Sequence, residues 1–138
     1  MLRLFISSHG HFASGIKSSV EILMGPNPRI TVFDAYIDQD SVQEHLDRFY
    51  ESVGEDDKVI LLSDLYGGSV NQVMYTYLNR PNTRLIAGVN LALVLELAVR
   101  EEIDDKELEE LVEQSRTMLR IVEFEQGETP EVEDSDFF

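Results

Sequence analysis

Cysteine is absent from this 138-residue chain. That excludes disulfides and thiolate metal sites, and it fits a reducing, cytoplasmic setting. Long hydrophobic runs are missing too. The most apolar stretch, Leu91 to Val99, is far shorter than a membrane span and contains Glu96. Met1 to Ile6 is apolar but is soon interrupted by Ser7 and His9, without the h-region or cleavage pattern of a signal peptide. Positive charge is scarce: 11 Lys and Arg stand against 27 Asp and Glu, a formal net charge of -16. Such a chain repels nucleic acid and anionic membranes, so neither is an expected partner. There is no internal repeat and no internal linker.

What is present suits one folded domain. Hydrophobic residues make up 43%, enough to build a core at this length. The acid is uneven: Glu125, Glu128, Glu131, Glu133, Asp134 and Asp136 crowd the last stretch without a basic residue. The expected organisation is a domain over residues 1–124 and a solvated acidic tail over 125–138.

Along the chain, Leu2 to Ser7 reads as a buried strand, followed by a Ser8-His9-Gly10 loop. Phe12, Ile16, Val20 and Leu23 recur at helical spacing, and Gly25-Pro26-Asn27-Pro28 ends that helix. Arg29 to Asp34 is the second strand. Ser41 is an expected N-cap with Glu44 at the capping-box position, before the stripe Val42, Leu46, Phe49 and Val53. Lys58 to Leu62 does not alternate, as in strands buried on both faces. A turn over Asp64 to Ser69 precedes a stripe from Val70 to Leu78. Arg84 to Ala87 is a fourth strand, Gly88-Val89-Asn90 a tight loop, and Leu91 to Arg100 an almost wholly apolar helix. Leu108, Leu111, Val112 and Leu119 stripe a last helix, and Leu119 to Phe124 reads as a short final strand. The alternation predicts an open, mainly parallel α/β sheet with helices on both faces.

In such sheets the ligand site lies at the carboxyl ends of the strands. His9-Gly10-His11, Asp64 to Ser69 and Gly88-Val89-Asn90 occupy those ends, and they hold the unusual chemistry of the chain. A transferable phosphoryl group needs a nucleophile active near neutral pH, which suits histidine. One ring nitrogen must be free and the other held as N–H, ideally by a carboxylate that stabilises the cationic ring. Asp64, at the end of an adjacent strand, is placed for that. The phosphoryl oxygens need donors, and Gly67-Gly68-Ser69 opens a helix whose first amides favour an anion. Each residue has a plainer reading as well: His9 as a polar loop residue, Asp64 as a turn former, Gly67-Gly68-Ser69 as punctuation before a helix. His45 reads as structural, and Tyr66 as packing or partner surface. Glu96 reads as a buried, hydrogen-bonded carboxylate or as part of a subunit contact.

Three segments together carry a family resemblance. Ile6-Ser7-Ser8-His9-Gly10-His11-Phe12-Ala13-Ser14-Gly15 resembles the phosphorylation site of mannose-type IIA components of the phosphoenolpyruvate-dependent sugar phosphotransferase system (PTS). Asp64-Leu65-Tyr66-Gly67-Gly68-Ser69 with Asn71 resembles their second signature, and Ala87 to Leu91 with Glu96 their third. Order and spacing agree from Met1 to about Phe124. The resemblance implies a doubly wound sheet of strand order 2-1-3-4. It implies that His9 is phosphorylated, through Nε2, that Asp64 holds Nδ1, and that Gly67, Gly68 and Ser69 cradle the phosphate. The implied donor is the histidine-containing phosphocarrier protein and the acceptor a IIB component, with the membrane IIC/IID complex reached only indirectly. No cofactor is implied. Homodimers are, with Leu119 to Phe124 as the strand that crosses to a partner's sheet. His11 is a candidate auxiliary residue. Val70 and Ala92 stand where family members often carry proline, and neither change removes a donor or nucleophile.

Other classes leave weaker traces. A hydrolase using Ser69 lacks the second glycine of a nucleophile elbow, because Val70 follows. His9, His11 and Asp64 are a conceivable zinc set. A phosphorylated-aspartate receiver needs acids after the first strand, where Ser7-Ser8-His9 stands. The phosphoryl subunit of dihydroxyacetone kinase systems is close in fold and mechanism. A plain binding module predicts that His9 is dispensable.

Overall fold

The computed structural model describes residues 1–125, so the expected acidic tail lies, beyond Glu125, outside the described residues. In chain order the elements are β1 (Leu2–His9), α1 (Phe12–Met24), β2 (Ile30–Ala35), α2 (Val42–Glu51) and β3 (Lys58–Ser63). They continue with α3 (Ser69–Tyr75), β4 (Thr83–Ala87), α4 (Leu91–Ala98) and α5 (Asp105–Arg116). The strands form one sheet of order β2-β1-β3-β4, every pair parallel. This is the expected α/β architecture and strand order.

Helices cover both faces, which explains the unbroken apolar runs of the central strands. From β1, Leu2, Leu4 and Ile6 enter one core layer with Ile16 and Val20 of α1, Val94 and Leu97 of α4, and Leu108 of α5. Phe5 enters the opposite layer with Leu46 and Phe49 of α2 and Met74 of α3. Local capping sets several helix starts. Ser41 Oγ accepts the Glu44 N–H at 3.1 Å, Asn90 Oδ1 the Leu93 N–H at 2.9 Å, and Asp104 Oδ1 the Glu107 N–H at 2.8 Å. At α1 the cap comes from further back, where Ser8 Oγ accepts the Ala13 N–H at 2.7 Å.

Several boundaries differ from the sequence reading. β1 runs on to His9 because His9 pairs with Ala35 and the next amide, Gly10 N–H, donates to the Ala35 carbonyl at 2.9 Å. His9 is therefore the last residue of a central strand, not a loop residue. α3 stops at Tyr75; Thr76, Tyr77 and Leu78 follow in tighter turns that bond three residues back. Leu119–Phe124, expected as a strand, has no β pairing, and Leu119, Ile121 and Val122 are exposed. Alternating apolar residues supply a strand's side-chain pattern, but a ladder also needs a facing backbone. Glu96 is not a buried carboxylate: it is half-exposed and pairs with Arg100 one turn on, at 3.1 Å. His45 is structural, stacked on Phe33 with centroids 3.9 Å apart and its Nε2 3.2 Å from Asp40.

Candidate functional site

The sheet reverses its order between β1 and β3. β1 is followed by a connection to its β2 side, and the chain then returns to the other side for β3. A crevice opens at the carboxyl ends of such strands. His9 closes β1 there, and Asp64 follows β3 directly.

Asp64 holds His9 twice through one oxygen. Its Oδ2 accepts the His9 backbone N–H at 2.9 Å and lies 2.8 Å from His9 Nδ1. A carboxylate only accepts, so Nδ1 carries the proton and Nε2 of the neutral ring keeps a lone pair. Burial raises the Asp64 carboxyl, but the hydrogen bonds from the His9 backbone and ring outweigh it and hold the pKa below the usual carboxylate value. Asp64 Oδ1 is buried and has no hydrogen-bond partner among the described residues. His9 itself remains accessible, its side chain 46% exposed.

Ser69 faces the other nitrogen, its Oγ 3.2 Å from His9 Nε2. The turn before it brings it there. Gly67 adopts φ +75°, where an L side chain is strained. At Gly68 a Cβ would meet the Leu65 carbonyl oxygen at 3.3 Å and His9 Cε1 at 3.6 Å, so the turn packs directly on the ring. Gly68 is the N-cap of α3 and supplies no side-chain cap, and Ser69 is the first residue of the helix. Ser63 Oγ donates to Asn71 Oδ1 at 2.8 Å and ties α3 to the end of β3.

His11 takes no part in this cluster. Its Nδ1 lies 2.8 Å from Asp34 Oδ2, at the end of β2. Asp34 also accepts the Ser14 N–H at 2.9 Å and the Ser14 hydroxyl at 2.6 Å. Burial raises its carboxyl, and the bonds from Ser14 and His11 outweigh that and lower it. The third loop braces the end of β3: Val89 N–H donates to the Ser63 carbonyl at 3.0 Å, while Asn90 caps α4 and donates to the Ser115 carbonyl. Among the described residues no three His, Asp or Glu side chains converge as a metal ion requires.

Sequence reasoning overlooked Asp34 and Tyr36. Tyr36 stacks on the His9 ring with centroids 5.1 Å apart, and its Oη lies 2.5 Å from Ser69 Oγ. The signal was available, because the segment after β2 also sits at a carboxyl end of the sheet. The end of β2 and the residues after it carry Asp34, Tyr36 and Asp38, without the glycines that mark the other strand ends. Phe12, Ile37, Leu65 and Tyr66 are exposed and lie on the segments that follow β1, β2 and β3.

Residues 3–116 match the model of the family described as PTS system fructose IIA component. The chain belongs to that family and is a IIA component of a sugar phosphotransferase system. A PTS system fructose-specific EIIA component of Bacillus subtilis (strain 168) is 26% identical over 112 residues, covering 78% of this chain and 77% of that protein. The crystal structure of a PTS IIA protein associated with the fucose utilization operon of Streptococcus pneumoniae is 26% identical with a TM-score of 0.75, covering 87% of this chain and 92% of that one. A mannose/sorbose specific IIA subunit from Enterococcus faecalis shares the fold at a TM-score of 0.76 and 24% identity, covering 95% and 98%. No helix among the described residues is long and apolar enough to cross a membrane.

Proposed function

We propose that His9 carries the phosphoryl group, taking it from the histidine-containing phosphocarrier protein and passing it to a IIB component. One observation carries this reading: Nδ1 is fixed on Asp64 at 2.8 Å while Nε2 faces the Ser69 hydroxyl at 3.2 Å. The Nε2 lone pair attacks phosphorus, the donor's P–N bond breaks, and its electrons return to the donor's imidazole. The His9 ring becomes cationic, and the Asp64 carboxylate stabilises that charge. Ser69 Oγ turns from Nε2 to donate to a phosphoryl oxygen, beside the first amides of α3, which have no intrahelical acceptors. Transfer to the IIB component runs the same steps in reverse.

The proposed working form is a homodimer. β4 is an edge of the sheet, and between α3, β4 and α5 lies a groove of about 600 Å³ lined by Tyr75, Leu85, Ile86, Leu108 and Val112, among others. The unpaired apolar segment 119–124 of a second copy suits that edge. Deleting residues 119–125 then yields a monomer in sedimentation, and an unchanged dimer would refute the exchange.

For the carrier role, the protein is incubated with phosphoenolpyruvate, the general phosphotransferase enzyme and the histidine carrier, and its intact mass is measured. One acid-labile phosphoryl group is expected on wild type and none on His9→Ala. No gain on wild type, with the partners verified on another acceptor, would overturn the proposal.

A further inference from the structure

Tyr36 is an unexpected residue where it stands. It adopts φ +66°, in the left-handed region, although it is neither glycine nor asparagine. Its side chain is not there to fill a core, since the residue is 66% exposed. A non-glycine residue persists in this conformation only when its surroundings hold it, and such residues concentrate at functional sites. Two contacts hold Tyr36, and both lead to the reacting nitrogen. Its ring lies over the His9 imidazole, centroids 5.1 Å apart and planes tilted by 25°. Its hydroxyl meets Ser69 Oγ at 2.5 Å, and Ser69 Oγ meets His9 Nε2 at 3.2 Å.

The proton order in this chain of contacts follows from donor counting. Nδ1 holds the ring proton against Asp64, so Nε2 accepts, and the Ser69 hydroxyl spends its single proton there. Ser69 Oγ must then accept from the Tyr36 hydroxyl. We propose that Tyr36 is a positioning residue for phosphoryl transfer, its hydroxyl aiming the Ser69 donor at Nε2 and its ring shielding one face of the phosphohistidine from water. This rests on the carrier reading of His9 and deepens it. Phosphoryl arrival at Nε2 displaces the Ser69 proton onto a phosphoryl oxygen, and the bond from Tyr36 keeps Ser69 Oγ in place while its proton turns. No new bond to Tyr36 is needed, so its contribution passes through Ser69.

That dependence makes a double-mutant cycle decisive. Phosphoryl uptake from the carrier protein is followed in wild type, Tyr36→Phe, Ser69→Ala and the double variant. Loss of one hydrogen bond predicts a fall of about 5- to 10-fold in the rate at saturating carrier for Tyr36→Phe, with KM for the carrier unchanged. In the Ser69→Ala background the same change is expected to do nothing further. Tyr36→Ala, which also removes the ring, is expected to shorten the half-life of the isolated phosphoprotein, while Tyr36→Phe preserves it. Equal effects of Tyr36→Phe in both backgrounds would overturn the role through Ser69, as would a wild-type rate. An unchanged half-life in Tyr36→Ala would overturn the shielding. If wild type takes up no phosphoryl group, it is the carrier reading that has failed; if wild type is phosphorylated on His9 and the variants match it, only the role of Tyr36 is lost.

Discussion

Two histidine–aspartate pairs flank the end of β1, and by local geometry they are nearly twins. His9 meets Asp64 and His11 meets Asp34, each through Nδ1 at 2.8 Å. Each aspartate is mostly covered, 15% and 16% exposed, and each is held below the usual carboxylate value. The difference lies at the other nitrogen and at the other end of the carboxylate. Nε2 of His9 has the Ser69 hydroxyl and the glycine turn before it, with Tyr36 across the ring. His11 is 75% exposed, and Asp34 spends most of its bonding on Ser14 at the start of α1. A histidine–carboxylate pair alone is therefore weak evidence of chemistry. The donors around the free nitrogen are what set His9, the proposed carrier, apart from His11, which trims a helix.

The sharpest test of that contrast exchanges the histidines. His9→Ala is expected to abolish phosphoryl uptake, and His11→Ala to keep it near the wild-type rate, read by intact mass over time. Phosphorylation lost in His11→Ala instead would break the comparison. The aspartates come next. Asp64→Asn no longer holds Nδ1–H against a charge, and uptake is expected to fall on the order of 10²- to 10⁴-fold. Asp34→Asn is expected to spare uptake and to cost about 1 kcal/mol of stability in denaturant unfolding, through weaker bonds to Ser14.

Acid distinguishes the pairs further. Both carboxyls lie below their ordinary value in the folded chain. Each therefore contributes stability that is fully present above the unfolded value and lost as pH falls through the lower folded one. Wild type is expected to lose stability over that acidic window, and Asp34→Asn to lose less. Parallel curves for the two proteins would show that Asp34 carries no such linkage. The smallest effect belongs to His11, whose contact with Asp34 is made by an exposed side chain and is worth ~0.5 kcal/mol or less. His11→Ala should leave the unfolding midpoint almost unmoved.

Much of this was legible in one dimension. Unbroken apolar strands alternating with striped helices announce a doubly covered parallel sheet, and such sheets place ligands at strand ends, where His9, Asp64 and Ser69 stand. Ser41 was visible as an N-cap, while the capping role of Asn90, read only as part of a tight loop, came from the structure. Leu119 to Phe124 has the side-chain pattern of a strand but finds no facing backbone among the described residues of one chain. Of the two readings of Glu96, burial and a subunit contact, burial fails because the helix turns its sixth residue toward Arg100 and water.

By itself the sequence determined the fold class and which residue types stand at the strand ends, because these depend on periodicity and on short motifs. Only the tertiary structure decided which carboxylate serves which histidine. The partners are 55 residues apart for His9 and 23 for His11, and strand order, not chain distance, brings them together. It also decided the place of Tyr36, since a single left-handed residue after β2 aims a ring across the sheet's edge in a way that no linear pattern encodes.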